Sequence, residues 1–129
     1  MSFFTADQLV AHAVGDYLLQ SHWMATEKVR RSAAALAHVL CYAIPFLFLT
    51  RSAAALVVIV GTHFVIDRWR LARFVVWGKN QIAPRLYRNP PTSTGYPLDA
   101  PPFLAVWLLI VADNIMHVTI NAAALRWIA

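Results

Sequence analysis

Residues 53–67 read AAALVVIVGTHFVID, an apolar run that closes on a histidine and an aspartate four positions apart. As a helix this run rises roughly 22 Å at 1.5 Å per residue, short of a hydrocarbon core about 30 Å thick. It reaches across only by continuing through Trp69 and Arg70, where a long basic side chain snorkels to the interface. Read that way, over about 53–70, it is a membrane span.

Its neighbours support the reading. Residues 34–50 (AALAHVLCYAIPFLFLT) and 103–125 (FLAVWLLIVADNIMHVTINAAAL) are long enough, or nearly so, to cross a bilayer. Residues 5–21 are more polar, with His12, Asp16 and Gln20 on one stripe and Leu9, Val10, Ala13, Tyr17 and Leu18 on the other, as suits a helix with its polar side toward a bundle. The expected fold is therefore all-α: an integral-membrane four-helix bundle, one transmembrane domain over residues 1–129, with a basic and proline-rich loop over 71–102.

Composition fits that expectation. Of the 129 residues 60% are apolar and 13% charged, far greasier than an average water-soluble domain. The single cysteine, Cys41, excludes an internal disulfide and reads as a small buried apolar residue. No basic residue precedes Lys28, so the start lacks the charged region of a cleaved signal peptide and the first helix is expected to stay.

Basic residues set the expected orientation. Lys28, Arg30 and Arg31 follow the first span, and Arg68, Arg70, Arg73, Lys79, Arg85 and Arg88 follow the third; Arg51 and Arg126 alone lie on the other side. Both basic loops are expected in the cytoplasm and both termini outside, in a bacterial inner membrane. Residues 68–88 interleave their charges with Trp69, Phe74, Trp77 and Tyr87, the make-up of a segment lying on anionic headgroups, and this is preferred to nucleic-acid binding. The expected partners are the bilayer and its anionic lipids, with a symmetric homo-oligomer left open. Arg-Ser-Ala-Ala-Ala-Leu occurs at residues 31–36 and again at 51–56, each time before a span, and reads as a helix start.

The chemistry lies in the pairs. His12 with Asp16, His63 with Asp67, and Asp113 with His117 each stand four apart, on one helix face. Roughly 0.4 such pairs would arise by chance at helical neighbour spacing, so three call for a reason. With His38 they make seven candidate metal ligands: His12, Asp16, His38, His63, Asp67, Asp113 and His117. Imidazole and carboxylate suit zinc first, with manganese or iron as alternatives, and seven groups exceed one tetrahedral shell. On oriented spans they converge only in the inner half of the membrane, where Asp113 fits worst because it lies deepest. Gln20, Tyr42, Asn114 and Asn121 extend the same faces and are expected to orient the ligands. Asp16, Asp67 and Lys28 are the candidate catalytic residues, Lys28 as a point charge for a phosphate; its competing reading is a topology residue. His22 is assigned to the surface.

A buried pair can also be a local ion pair that serves helix association, and a proton pathway is a third reading. Metal binding is preferred because intramembrane carboxylates are costly and tend to have functions. The expected function is metal-dependent hydrolysis of a phosphoester, a phospholipid headgroup or a nucleotide, by metal-bound hydroxide. The alternative is a non-enzymatic membrane protein, a proton or ion conduit or a phage-type effector that binds a partner.

The motifs also carry a resemblance. Ala11-His12, Gly15-Asp16-Tyr17, Leu19-Gln20, then Trp23 and Lys28, His38, Thr62-His63-Phe64 with Ile66-Asp67, and Asp113 with His117 resemble a family of small bacterial and phage integral-membrane proteins of unknown function. The likeness spans nearly the whole chain. It implies a helical membrane protein and supplies no reaction. A looser likeness, resting on repeated H-x-x-x-D, is to membrane-bound metal-dependent hydrolases and to the helical zinc phospholipase C and single-strand nuclease group. This chain lacks the N-terminal metal-binding tryptophan and the full ligand count of those soluble enzymes.

Overall fold

A computed structural model describes residues 2–129, and every regular element in them is helical. Helix α1 (Ala6–Ala13) begins where Thr5, in extended backbone, accepts the Gln8 N–H on its Oγ1 at 3.4 Å. It runs into a π-helical turn, Val14–Leu18, sealed by the Leu19 N–H donating to the Val14 carbonyl at 2.9 Å. Ser21 caps α2 (His22–Glu27) by accepting the Met24 N–H. Then follow α3 (Ser32–Phe46), α4 (Ala53–Trp69), α5 (Ala72–Asn80), a 3-10 turn (Arg85–Tyr87) and α6 (Pro102–Trp127).

The chain divides into two compact units, Met1–Trp69 with His117–Ala129, and Arg70–Met116. In the first, α3 packs along α4 and against the π turn. Its core joins Ala11, Tyr42, Phe46, Ile59 and Ala124, with Leu49, Leu56, Val58 and Leu125 around them. Gly15 permits the close approach of the π turn to α3: a Cβ there would lie 2.6 Å from Tyr42 Cδ2 and 3.1 Å from the Tyr42 Cα and carbonyl oxygen. In the second unit Ala72, Val76 and Leu109 form a small core with Tyr96, Ala112 and Met116 beside it. The proline-rich stretch there is tied down by hydrogen bonds from Trp77 Nε1 to the Asn89 carbonyl (2.8 Å) and from Asn80 Nδ2 to the Gly95 carbonyl (3.0 Å). Gly95 has φ +83°, and a Cβ there would collide with the Arg73 carbonyl and the Trp77 nitrogen.

The four-span bundle is overturned. One described helix, Pro102–Trp127, is long and apolar enough to cross a membrane, at 26 residues and a mean hydropathy of 1.9. The other three expected spans are cut short by local chemistry. Residues 5–21 leave the α-helical path at the π turn and end at Leu18. The run 34–50 yields a 15-residue helix that stops one residue past Pro45, and Thr50 Oγ1 then accepts the Ser52 N–H as the chain turns toward α4. The run 53–70 yields 17 residues, ended by Arg70 at φ +50°, a left-handed backbone that a helix cannot continue through. The expectation of both termini outside, drawn from the basic residues, also needs an even number of spans, and the one helix of sufficient length does not support it.

Candidate metal centre

The site forms where four helices and the π turn of the first unit present polar faces to one another. α3 carries His38 and Tyr42, α4 carries His63 and Asp67, and the end of α6 carries His117 and Asn121, each pair one helical turn apart. α1 brings His12, and the π turn brings Asp16. Each of these eight side chains belongs to a buried residue.

At the centre four atoms face one another: Asp16 Oδ1, His38 Nε2, His63 Nε2 and Asp67 Oδ2. His38 Nε2 lies 3.2 Å from Asp16 Oδ1, 3.2 Å from Asp67 Oδ2 and 3.0 Å from His63 Nε2. His63 Nε2 lies 3.2 Å from Asp67 Oδ2 and 3.7 Å from Asp16 Oδ1. A zinc ion bound tetrahedrally at 2.0–2.2 Å holds its ligand atoms about 3.3–3.6 Å apart. Five separations here, from 3.0 to 3.7 Å, bracket that spacing. The four residues are all buried, and the group could hold a metal ion.

Asp67 is the hub. Its Oδ2 accepts a hydrogen bond from Lys28 Nζ at 2.6 Å, besides facing both histidines, and its Oδ1 faces His117 Nε2 at 3.1 Å. Lys28 follows the end of α2, its side chain 18% exposed against 3% for Asp67. The loop bearing Lys28 is fastened to α4 by Arg68, whose guanidinium donates to the Val29 carbonyl (2.6 Å), the Arg30 carbonyl (3.2 Å) and Ser32 Oγ (3.2 Å).

Burial by itself would push the Asp16 carboxyl up and favour its neutral form; the hydrogen bonds from His38 and His63 outweigh this and hold it far below the ordinary carboxylate range. Asp67 follows the same balance, burial raising it and His117, His38 and His63 bringing it well below its usual value. Burial pushes the His38 imidazole down, and Asp16 and Asp67 together raise it above its ordinary 6.5. Two buried carboxylates thus stay ionised, held so by the hydrogen bonds of the imidazoles around them.

The rings are positioned by stacking. His63 lies between Tyr42 and His117, both ring centroids 3.8 Å away. The Nδ1 atoms of His38 and His63 are buried without a hydrogen-bond partner. Tyr42 OH accepts from Asn121 Nδ2 at 2.6 Å and meets His12 Nδ1 at 2.8 Å, which turns His12 Nε2 toward Asp16 Oδ2, 3.7 Å away.

Of the seven expected ligands, Asp16, His38, His63 and Asp67 make up the central group. His117 touches it through Asp67, and His12 stands beside it against Tyr42. Asp113, half-buried, lies on the stretch of α6 that belongs to the second unit. Gln20 donates to the Asp16 backbone carbonyl (3.1 Å) and Asn114 to the Ile110 carbonyl (2.7 Å), so both amides brace their own helices. His22 is exposed. Arg68, grouped by sequence with the interfacial segment, instead fixes the Lys28 loop; its place beside Asp67 was the one available signal.

One family model, described as Protein of unknown function (DUF3307), matches residues 4–128. No curated protein and no solved structure matches the chain.

Proposed function

We infer a function from the buried site itself, because the chain belongs to the DUF3307 family, whose description gives none. The reading is a metal-dependent hydrolase of phosphoesters. The observation that carries it is the Asp16, His38, His63 and Asp67 group, whose spacing suits one divalent transition ion, zinc first and manganese or iron next. Such an ion, when bound, polarises a phosphoryl oxygen and lowers the pKa of an attacking water.

The chain's own residues would do the rest. Asp16 and Asp67 supply two negative charges, enough to balance a divalent ion in a buried place. His117 holds the Asp67 carboxylate through Oδ1, and the Tyr42 stack holds His63 in register. Lys28, the most exposed member, is placed to meet the charged end of a phosphorylated substrate. A phospholipid headgroup or a nucleotide both fit that chemistry. The setting we propose is the bacterial cytoplasmic membrane and its anionic lipids, with α6 as the element able to enter the bilayer.

Elemental analysis of the purified full chain tests the first step. About one equivalent of transition metal in wild type, lost in Asp67→Ala and His63→Ala, is expected. Less than about half an equivalent, unchanged by Asp67→Ala, removes the reading. One observation favours a metal-free alternative: Lys28, His38, His63 and His117 already surround Asp67 with hydrogen-bonding partners. Proton flux into liposomes that contain metal-free protein, abolished in Asp16→Asn, would establish that alternative.

A further inference from the structure

We propose that Lys28 is the site's resident cation: a divalent ion entering the Asp16, His38, His63 and Asp67 group displaces its ammonium from Asp67, and the released ammonium becomes the receptor for a phosphoryl oxyanion. The inference rests on the metal reading above and adds an order of binding to it.

The argument begins with one oxygen. Asp67 Oδ2 is a corner of the central group and also the atom on which Lys28 Nζ sits, at 2.6 Å. An ion 2.0–2.2 Å from that oxygen stands within a few ångströms of the ammonium. Both are positive, and in a site where Asp67 is 3% exposed little water screens them.

Charge counting gives the direction. Asp16 and Asp67 bring two negative charges, and a divalent ion cancels both. The lysine, which had been balancing Asp67, is then one positive charge in excess. Its stem is rooted in a loop that Arg68 holds to α4 through the Val29 and Arg30 carbonyls, so the ammonium cannot leave the neighbourhood with its backbone. Being already 18% exposed, the side chain has a way outward, toward solvent. An anion that arrives there meets an unpaired ammonium and an ion close behind it, the pairing that a phosphoryl group with two or three charged oxygens satisfies. Metal and anion should therefore bind in that order, each strengthening the other.

Three measurements on the full chain test this. First, zinc affinity is read by competition with a chromogenic chelator in wild type, Lys28→Met and Lys28→Arg. Lys28→Met should bind zinc at least about tenfold more tightly, because the competing charge is gone and the apolar stem is kept, and Lys28→Arg should stay near wild type. Second, the chain has two lysines, Lys28 and Lys79, and Lys79 is exposed. In wild type without metal, an amine-acetylating reagent should modify Lys28 slowly relative to Lys79, and saturating zinc should bring Lys28 up toward Lys79. This readout needs no substitution and survives any folding defect in the variants. Third, inorganic phosphate and short-chain phosphatidic acid are titrated separately. Zinc-loaded wild type should bind at least one of them, metal-free wild type and zinc-loaded Lys28→Met neither; binding of the lipid alone would identify a headgroup as the source.

Zinc bound equally by wild type and Lys28→Met, with Lys28 acetylation unchanged by zinc, overturns this inference and leaves the metal reading standing. Zinc bound by none of the variants overturns both. Phosphate and phosphatidate ignored by zinc-loaded wild type overturn the oxyanion half.

Discussion

Asp67 gathers Lys28, His38 and His63 on one oxygen and His117 on the other. Asp67→Asn would leave these cationic and imidazole groups facing a neutral amide, and removing one partner from such a buried group costs about 3–5 kcal/mol. Urea unfolding of the metal-free protein should show that loss, and equilibrium dialysis should show lost zinc. Protonation gives a second prediction. Asp16 and Asp67 are held below their ordinary 3.8, so what they contribute is complete above that value and fades as pH falls through their lowered values. His38 is raised above 6.5, so its contribution is complete below 6.5 and fades as pH rises through its raised value. The metal-free protein should accordingly have its highest melting temperature on the acid side of neutrality, between those limits, and melt earlier in alkali. A bound metal takes the imidazole without its proton, so zinc affinity should rise over that same alkaline range and the melting temperature should stop falling. The His and Asp spacings were legible because helical periodicity is local; each pair falls on one face whatever surrounds it. The Lys28 contact and the Arg68 clamp were not. A lysine side chain has many reachable partners, and backbone carbonyls, the acceptors Arg68 uses, carry no mark in a sequence.

At the scale of elements, the apolar runs announced helices but not their lengths. Ends are set by single residues, here Pro45 in the last turn of α3 with Thr50 beyond it, and the left-handed Arg70 after α4. The π turn had even less of a signature. Its extra residue changes where Asp16 points, and Gly15 in its midst is legible only as small. Gly15→Ala tests what that smallness does. Its Cβ would press on the ring and backbone of Tyr42, a side chain already held by Asn121 and His12, and overpacking of this kind costs about 1–3 kcal/mol. The variant should melt earlier and bind zinc more weakly than wild type, since the same push shifts Asp16. Wild-type affinity in Gly15→Ala would show that the π turn does not set the site.

For the molecule as a whole, hydropathy points to a polar site within a lipid-embedded bundle, and the structure instead offers one helix fit for the bilayer and two compact units. Hydropathy alone could not separate the two outcomes, because His63, Asp67 and their neighbours turn to a protein interior on helices too short to span. Apolar side chains such as Phe48, 86% exposed, and Leu18, 76%, still face outward from the first unit. The role of α6 can be examined through Val111 and Ile115, both exposed on it. Lysine at both should leave folding intact yet oppose insertion by about 2.5–3.5 kcal/mol apiece at a helix centre. Alkaline extraction of cell membranes should keep wild type in the pellet and release the double variant; equal retention would point to another anchor.

The four atoms at the heart of the site all come from residues 16–67, and none waits for the second unit or for α6. Synthesis proceeds from the N-terminus, and domains fold in that order as they emerge. The residues that carry these four atoms have therefore all been made once α4 is, while the unit they belong to closes only when His117–Ala129 arrive, with Ala124 entering its core and His117 stacking on His63 and bonding Asp67. Loading need not await a finished protein: a nascent chain released just after Trp69 should already capture zinc, and the metal would then act as a template on which the last helix docks.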